Sequence, residues 1–136
     1  MKVKLDEGAR IPTRAYELDA GMDIYSRENK VVPAHGSAVF DTGVHIAIPA
    51  GYCGMLKSKS GLNVKHGLTG EGVIDSGYTG SICVKLYNDS EDDYTVKDGD
   101  KITQLVIIPV LIDEIEVVDD LPPTARAARG FGSSGK

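Results

Sequence analysis

What most narrows the fold of this chain is its rhythm of short apolar segments, each stopped by a turn before it can become a helix. Val3 and Leu5 alternate with Lys2, Lys4 and Asp6, the period-two pattern of a half-buried strand. Ala20 to Ser26, Lys30 to Pro33, Ser37 to Phe40, Val44 to Ile48 and Tyr52 to Lys57 continue the theme. Turns such as Ala34-His35-Gly36 and Pro49-Ala50-Gly51 divide them. A hairpin is expected over Leu68 to Ile74, and a strand over Ser81 to Tyr87 with Ile82, Val84 and Leu86 on one face. Tyr94 to Val96 is a shorter strand, Lys101 to Leu111 reads as a central one, and Ile115 to Val118 reads as the last. Only Ser58 to Asn63 breaks the pattern, and a single helical turn begun at a serine cap suits it. Strands at this spacing without a long helix predict an all-β antiparallel sandwich or barrel.

The 136 residues fit one domain, with a body over residues 1–123 and a mobile, glycine- and serine-rich C-terminal segment over 124–136. No apolar run approaches the roughly 20 residues of a membrane helix, and Met1 to Glu7 is too polar for a secretory signal. A soluble, cytoplasmic protein without a membrane partner is therefore expected. Cys53 and Cys83 each sit in an apolar run and are expected as buried free thiols. His35, His45 and His66 are scattered, with no zinc spacing.

A net charge of -5 argues against general nucleic-acid binding. Two segments run against that charge. Leu56 to Leu68 carries Lys57, Lys59 and Lys65 with no acid, and Thr124 to Lys136 carries Arg126, Arg129 and Lys136 with none. Cationic, glycine-containing segments in an acidic chain point to an anionic ligand. Lys59-Ser60-Gly61 has the makings of an anion cradle: a cation, a hydroxyl and backbone N–H groups opened by glycine. Asp75 follows the apolar pair Val73-Ile74 and is either a strand-end turn residue or a general base toward water. Tyr78 is either amphipathic filler or a ring against a sugar. Gln104 is an amide inside an apolar run, so it serves either the lattice or a ligand. Arg126, Phe131, Gly132 and Ser133 have the composition of a closing lid.

Five segments, in order, resemble the five motifs of the homotrimeric dUTPase family. They are Ala20-Gly21-Met22-Asp23-Ile24, Lys59-Ser60-Gly61-Leu62, Gly72-Val73-Ile74-Asp75-Ser76-Gly77-Tyr78-Thr79-Gly80, Gly99 to Leu105, and Arg126 to Gly135. The resemblance implies a distorted jelly-roll-like β-barrel of the β-clip kind. It also implies hydrolysis of dUTP to dUMP and pyrophosphate, limiting uracil in DNA and supplying dUMP for dTMP synthesis. Asp75 would then activate the water that attacks the α-phosphorus in line, and Tyr78 would pack on the deoxyribose. Backbone around Val73 and Ile74 would read uracil. Lys59, Ser60, Gly61 and Gln104 would hold phosphates, while Arg126, Phe131, Gly132 and Ser133 close over the nucleotide.

The resemblance further implies a homotrimer with each site shared by three subunits, and Mg²⁺ carried mainly by the substrate phosphates, with Asp23 reaching it through water. Lys59 and Lys101 stand where the family usually has arginine, and lysine lacks the bidentate fork. Arg129 stands where the family usually has glycine and is expected to compensate for Lys59. Two other readings remain at this level. A dCTP deaminase-type relative would release ammonia from dCTP, and a catalytically weak nucleotide-sensing or protein-binding relative would bind dUTP without turnover.

Overall fold

A computed structural model of the chain describes residues 1–130. Among the described residues eleven strands and one helix form: β1 Lys2–Leu5, β2 Gly21–Tyr25, β3 Lys30–Val32, β4 Ser37–Asp41, β5 Val44–Ala47, β6 Tyr52–Lys57, α1 Ser60–His66, β7 Leu68–Thr69, β8 Gly72–Ile74, β9 Cys83–Asn88, β10 Tyr94–Val96 and β11 Lys101–Pro109. A four-stranded sheet runs β2-β11-β6-β8 and a three-stranded one β4-β9-β7, with β1-β5 and β10-β3 as separate pairs. Every pairing is antiparallel. The arrangement is the all-β, jelly-roll-like one expected, although no sheet closes into a barrel among the described residues.

The core lies where the sheets face each other, and strand alternation fills it. On β9, Val84 and Leu86 point in while Cys83, Lys85 and Tyr87 point out, and Ile82 precedes them fully buried. β11 is the central strand the sequence predicts, flanked by β2 and β6. A register shift between Lys101 and Thr103 puts the neighbours Ile102 and Thr103 both inside, which strict alternation forbids. Gly54 of β6 lets three strands close up, because a Cβ there would lie 2.7 Å from Leu105 Cδ1 and 3.0 Å from Ile48 Cδ1.

Several expectations are corrected. Leu68 to Ile74 is not a hairpin: β7 pairs with β9 and β8 with β6, so the chain crosses between sheets at Gly70. Ile115 to Val118 forms no strand and pairs with no strand of the described residues; Ile115 and Val117 are 95% and 94% exposed. The expected single turn is the seven-residue helix α1, with Lys59 rather than serine at its N-cap and no side-chain cap bond. It runs on until Gly67 stops it at φ 65°. Cys53 is buried but Cys83 is exposed, because the alternation of β9 turns it outward; both are free thiols. β1 is exposed along its whole length instead of half-buried; its strand partner is β5. No helix among the described residues is long and apolar enough to cross a membrane.

Candidate active site

Strand register builds the site. Gln104 on β11 stands opposite Asp23 on β2 and, on its other side, opposite Lys57 on β6. Directly opposed residues share a face, so a polar row crosses the sheet. It is extended past β6 by Glu71, which pairs with the Lys57 ammonium. At one end Gly21 has no side chain, and Gln104 occupies that space: a Cβ on Gly21 would lie 2.5 Å from Gln104 Oε1. Gln104 Nε2 donates to the Ser58 carbonyl at 3.3 Å, holding the loop that carries Lys59. The row floors a cavity of about 390 Å³ lined by Asp19, Gly21, Asp23, Lys57, Lys59 and Gln104 among others.

Asp23 is only 6% exposed, and its carboxylate meets two ammonium groups: Lys59 on one oxygen and Lys101, at 2.7 Å, on the other. Burial pushes this carboxyl up, but hydrogen bonds from Lys101 and Lys59 together with their charges outweigh it, and its pKa falls below the ordinary 3.8. The Lys101 ammonium is raised in turn, chiefly by its bond to Asp23. The two lysines around Asp23 leave one positive charge in excess, the Lys57 charge being taken up by Glu71, and an anion can approach there. Ser60 and Gly61 open α1 immediately after Lys59, both exposed.

Asp75 lies elsewhere. β8 ends at Ile74, buried and paired with Gly54, and Asp75 begins an exposed turn closed by Tyr78 N–H donating to the Asp75 carbonyl at 3.0 Å. Val73 is exposed and stands opposite Met55. Tyr78 hydroxyl donates to the Ser81 carbonyl at 2.9 Å, and its ring lies over Gly80, half-exposed. Register puts Asp75 beyond the Gly54 end of the β6–β8 ladder and Lys57 beyond the other, about 13 Å apart along the strand. Asp75 and Tyr78 therefore do not line the Asp23–Lys59 cavity of their own chain.

Arg126 is also apart. Its Nε donates to the Arg129 carbonyl at 2.9 Å and Arg129 Nε returns a bond to the Arg126 carbonyl, in an exposed segment. Phe131, Gly132 and Ser133 lie outside the described residues. Two contributors escape a reading of the sequence: Glu71, masked as a glycine-flanked turn residue, and the use of Lys101 as a second partner of Asp23. Neither has a local signal, because each pairs across strands distant in sequence.

The sequence matches the dUTPase family over residues 7–135. The chain belongs to the dUTPase family. Among curated relatives of the family, the deoxyuridine 5'-triphosphate nucleotidohydrolase of Debaryomyces hansenii is 44% identical over 133 residues, covering 96% of this chain and 83% of its own. That of Saccharomyces cerevisiae is 40% identical over 138 residues, covering 99% and 94%. Among solved members, the dUTPase of Staphylococcus bacteriophage 80alpha with dUpNHpp superposes with a TM-score of 0.94 at 34% identity, over 99% of this chain and 98% of that one. A variant dUTPase of phage phi11 of S. aureus, described with a structural Mg(II) ion, superposes with a TM-score of 0.82 at 33% identity, over 88% and 96%.

Proposed function

We propose that this chain hydrolyses dUTP to dUMP and pyrophosphate, in a homotrimer whose sites are shared between subunits. One observation carries the reading: family membership over nearly the whole chain coincides with a built polar cavity lined by Asp23, Lys57, Lys59 and Gln104, with Lys101 paired to Asp23 beside it. The triphosphate lies against Lys59, Ser60, Gly61 and Gln104, which supply an ammonium, a hydroxyl, backbone N–H groups and an amide. Asp75, exposed at its turn, accepts a proton from the water that attacks the α-phosphorus, and pyrophosphate leaves in line. Val73 and Ile74 present backbone to uracil, and the Tyr78 ring packs on deoxyribose where a ribose hydroxyl would collide. Arg126, Phe131, Gly132 and Ser133 close over the nucleotide.

Two features support assembly. Asp75 and the phosphate cavity are held apart within one chain, so a complete site needs a second copy. Leu111, Ile112, Ile115, Val117 and Leu121 are all at least 75% exposed in the isolated chain, an apolar arm without cover. Among the described residues no three His, Cys, Asp or Glu side chains cluster as a cation site, and each Asp23 oxygen already meets an ammonium. This donor set fits magnesium brought by the triphosphate, with any water at Asp23 competing against Lys59 and Lys101. The ion, when bound, neutralises phosphate charge.

Pyrophosphate release from dUTP, dCTP, dTTP and UTP, with and without Mg²⁺, tests the reading. Turnover is expected with dUTP and Mg²⁺ and little with the other three. Asp75→Asn should lower kcat by about 10²- to 10⁴-fold with the assembly intact. Near-normal turnover in Asp75→Asn removes that carboxylate from the mechanism, and ammonia from dCTP would place the chain with the deaminases.

A further inference from the structure

His45 lies on β5, opposite Lys4 of β1, and both of its ring nitrogens meet oxygen. Nδ1 is 2.9 Å from the Thr79 carbonyl, and Nε2 is 3.1 Å from Asp6 Oδ2. A carbonyl and a carboxylate only accept hydrogen bonds, and a neutral imidazole has a single N–H. Both contacts are satisfied together only by the imidazolium, with each nitrogen donating.

Thr79 belongs to the segment that carries Asp75 and Tyr78. From Asp75 to Gly80 this segment has no strand partner; it rejoins the fold at Ser81, whose Oγ accepts from the Gly43 N–H at 3.0 Å, and at Ile82, whose N–H donates to the Val44 carbonyl of β5 at 2.9 Å. Its other hydrogen bonds are internal or to the adjacent Ser81: Tyr78 N–H to the Asp75 carbonyl and Tyr78 hydroxyl to the Ser81 carbonyl. Among the described residues, the bond from His45 is the one that ties Asp75 to Gly80 to a different element of the fold. The anchor behind it is firm, because the Asp6 N–H donates to the Gly43 carbonyl at 2.9 Å, immediately before β5.

We propose that protonated His45 is a positioning residue that clamps the Asp75-bearing segment to β1 and β5, so that turnover falls when the ring loses its proton. The proposal rests on Asp75 acting as the base in dUTP hydrolysis. The groups facing the ring are few. The Thr79 carbonyl and Asp6 favour the cation, Lys4 opposes it across the strand pair, and Lys2 borders the same cavity of about 410 Å³. The remaining walls include Val3, Ile46 and Ala47, which carry no charge. The Thr79 bond first, and the Asp6 bond next, hold the ring above its ordinary 6.5 despite burial and Lys4. Asp6 is lowered correspondingly, chiefly by its bond to His45.

The sign follows. The clamp is complete at low pH and is lost as pH rises through the raised midpoint of His45, a limb on the alkaline side of 6.5. Misplacing the segment by about 1 Å is worth up to about a hundredfold in rate. Two measurements on the full-length protein decide the matter. Histidine-ring NMR should find both His45 nitrogens protonated at pH 6.5, a midpoint above that value, and the Thr79 and Gly80 amides shifting with the same midpoint. The kcat profile for dUTP should fall through that midpoint, and His45→Gln should have lower kcat and lack the limb, while Asp6→Asn moves the limb to lower pH. A role in packing alone leaves the shape of the profile untouched. A neutral, single-tautomer ring at pH 6.5, or superimposable wild-type and His45→Gln profiles, overturns the clamp. If the wild type releases no pyrophosphate from dUTP, the functional reading fails instead. The ring titration and the Thr79 and Gly80 shifts then decide the clamp alone.

Discussion

Asp23 shows how much one side chain can be asked to do. An exposed ion pair is worth about 0–1 kcal/mol, but this carboxylate is nearly sealed and serves two ammonium groups at once. Asp23→Asn leaves Lys59 and Lys101 facing a neutral amide and each other, and should cost about 1–3 kcal/mol of stability in urea unfolding at neutral pH. The folded carboxyl titrates below its ordinary 3.8. Its contribution is therefore complete above that value and disappears as pH falls through the depressed one. The variant should accordingly lose less stability on acidification than the parent. Equal acid limbs in the two proteins would show that Asp23 is not the titrating contributor. Lysine at both positions suits this geometry, since each places a single point charge on a different oxygen.

At the scale of elements, β6 is the piece on which the others are hung. β11 lies on one edge and β8 on the other, and its end delivers Lys57 and Lys59 to the cavity. Gly54 makes that packing possible, with no room for a methyl group beside Leu105, Ile48 and Ile74. Gly54→Ala should destabilise by about 1–3 kcal/mol through overpacking, read as a shift of the denaturation midpoint at constant slope. An unchanged midpoint would mean that the Leu105 and Ile48 tips give way freely. The crossing from β7 to β8 at Gly70 matters equally. It puts Leu68 in one sheet and Ile74 in the other, so Asp75 emerges from the fold on a segment free of any ladder.

For the whole molecule, the question is how separated pieces make one site. Residues 110–130 form neither strand nor helix on their own chain and are exposed almost throughout. Truncation after Pro123 should leave the melting temperature nearly unchanged while kcat for dUTP collapses. An unaffected rate would take the C-terminal segment out of the mechanism. Sedimentation of the intact protein should give about three times the 14.5 kDa of the chain. A monomer turning over dUTP at full rate would contradict the shared site, because Asp75 and Lys59 do not meet within one copy.

Much was legible in the amino-acid order because it is local. The alternation of Ile82, Val84 and Leu86 set which face of β9 is buried, and glycine and proline marked the turns. The five motifs carried the family. The same locality misled at Ile115 to Val118, where the pattern of a strand is present but its partner is not. It misled again at Leu68 to Ile74, where neighbouring strands chose different sheets. Only the tertiary structure decided that Lys59, from the loop after β6, and Lys101, from the start of β11, converge on Asp23. It alone placed His45 between Thr79 and Asp6, which are 34 and 39 residues away. The physical reason is common to both: alternation reports which way a side chain points, whereas the charge or acceptor it meets is set by strand register across the sheet.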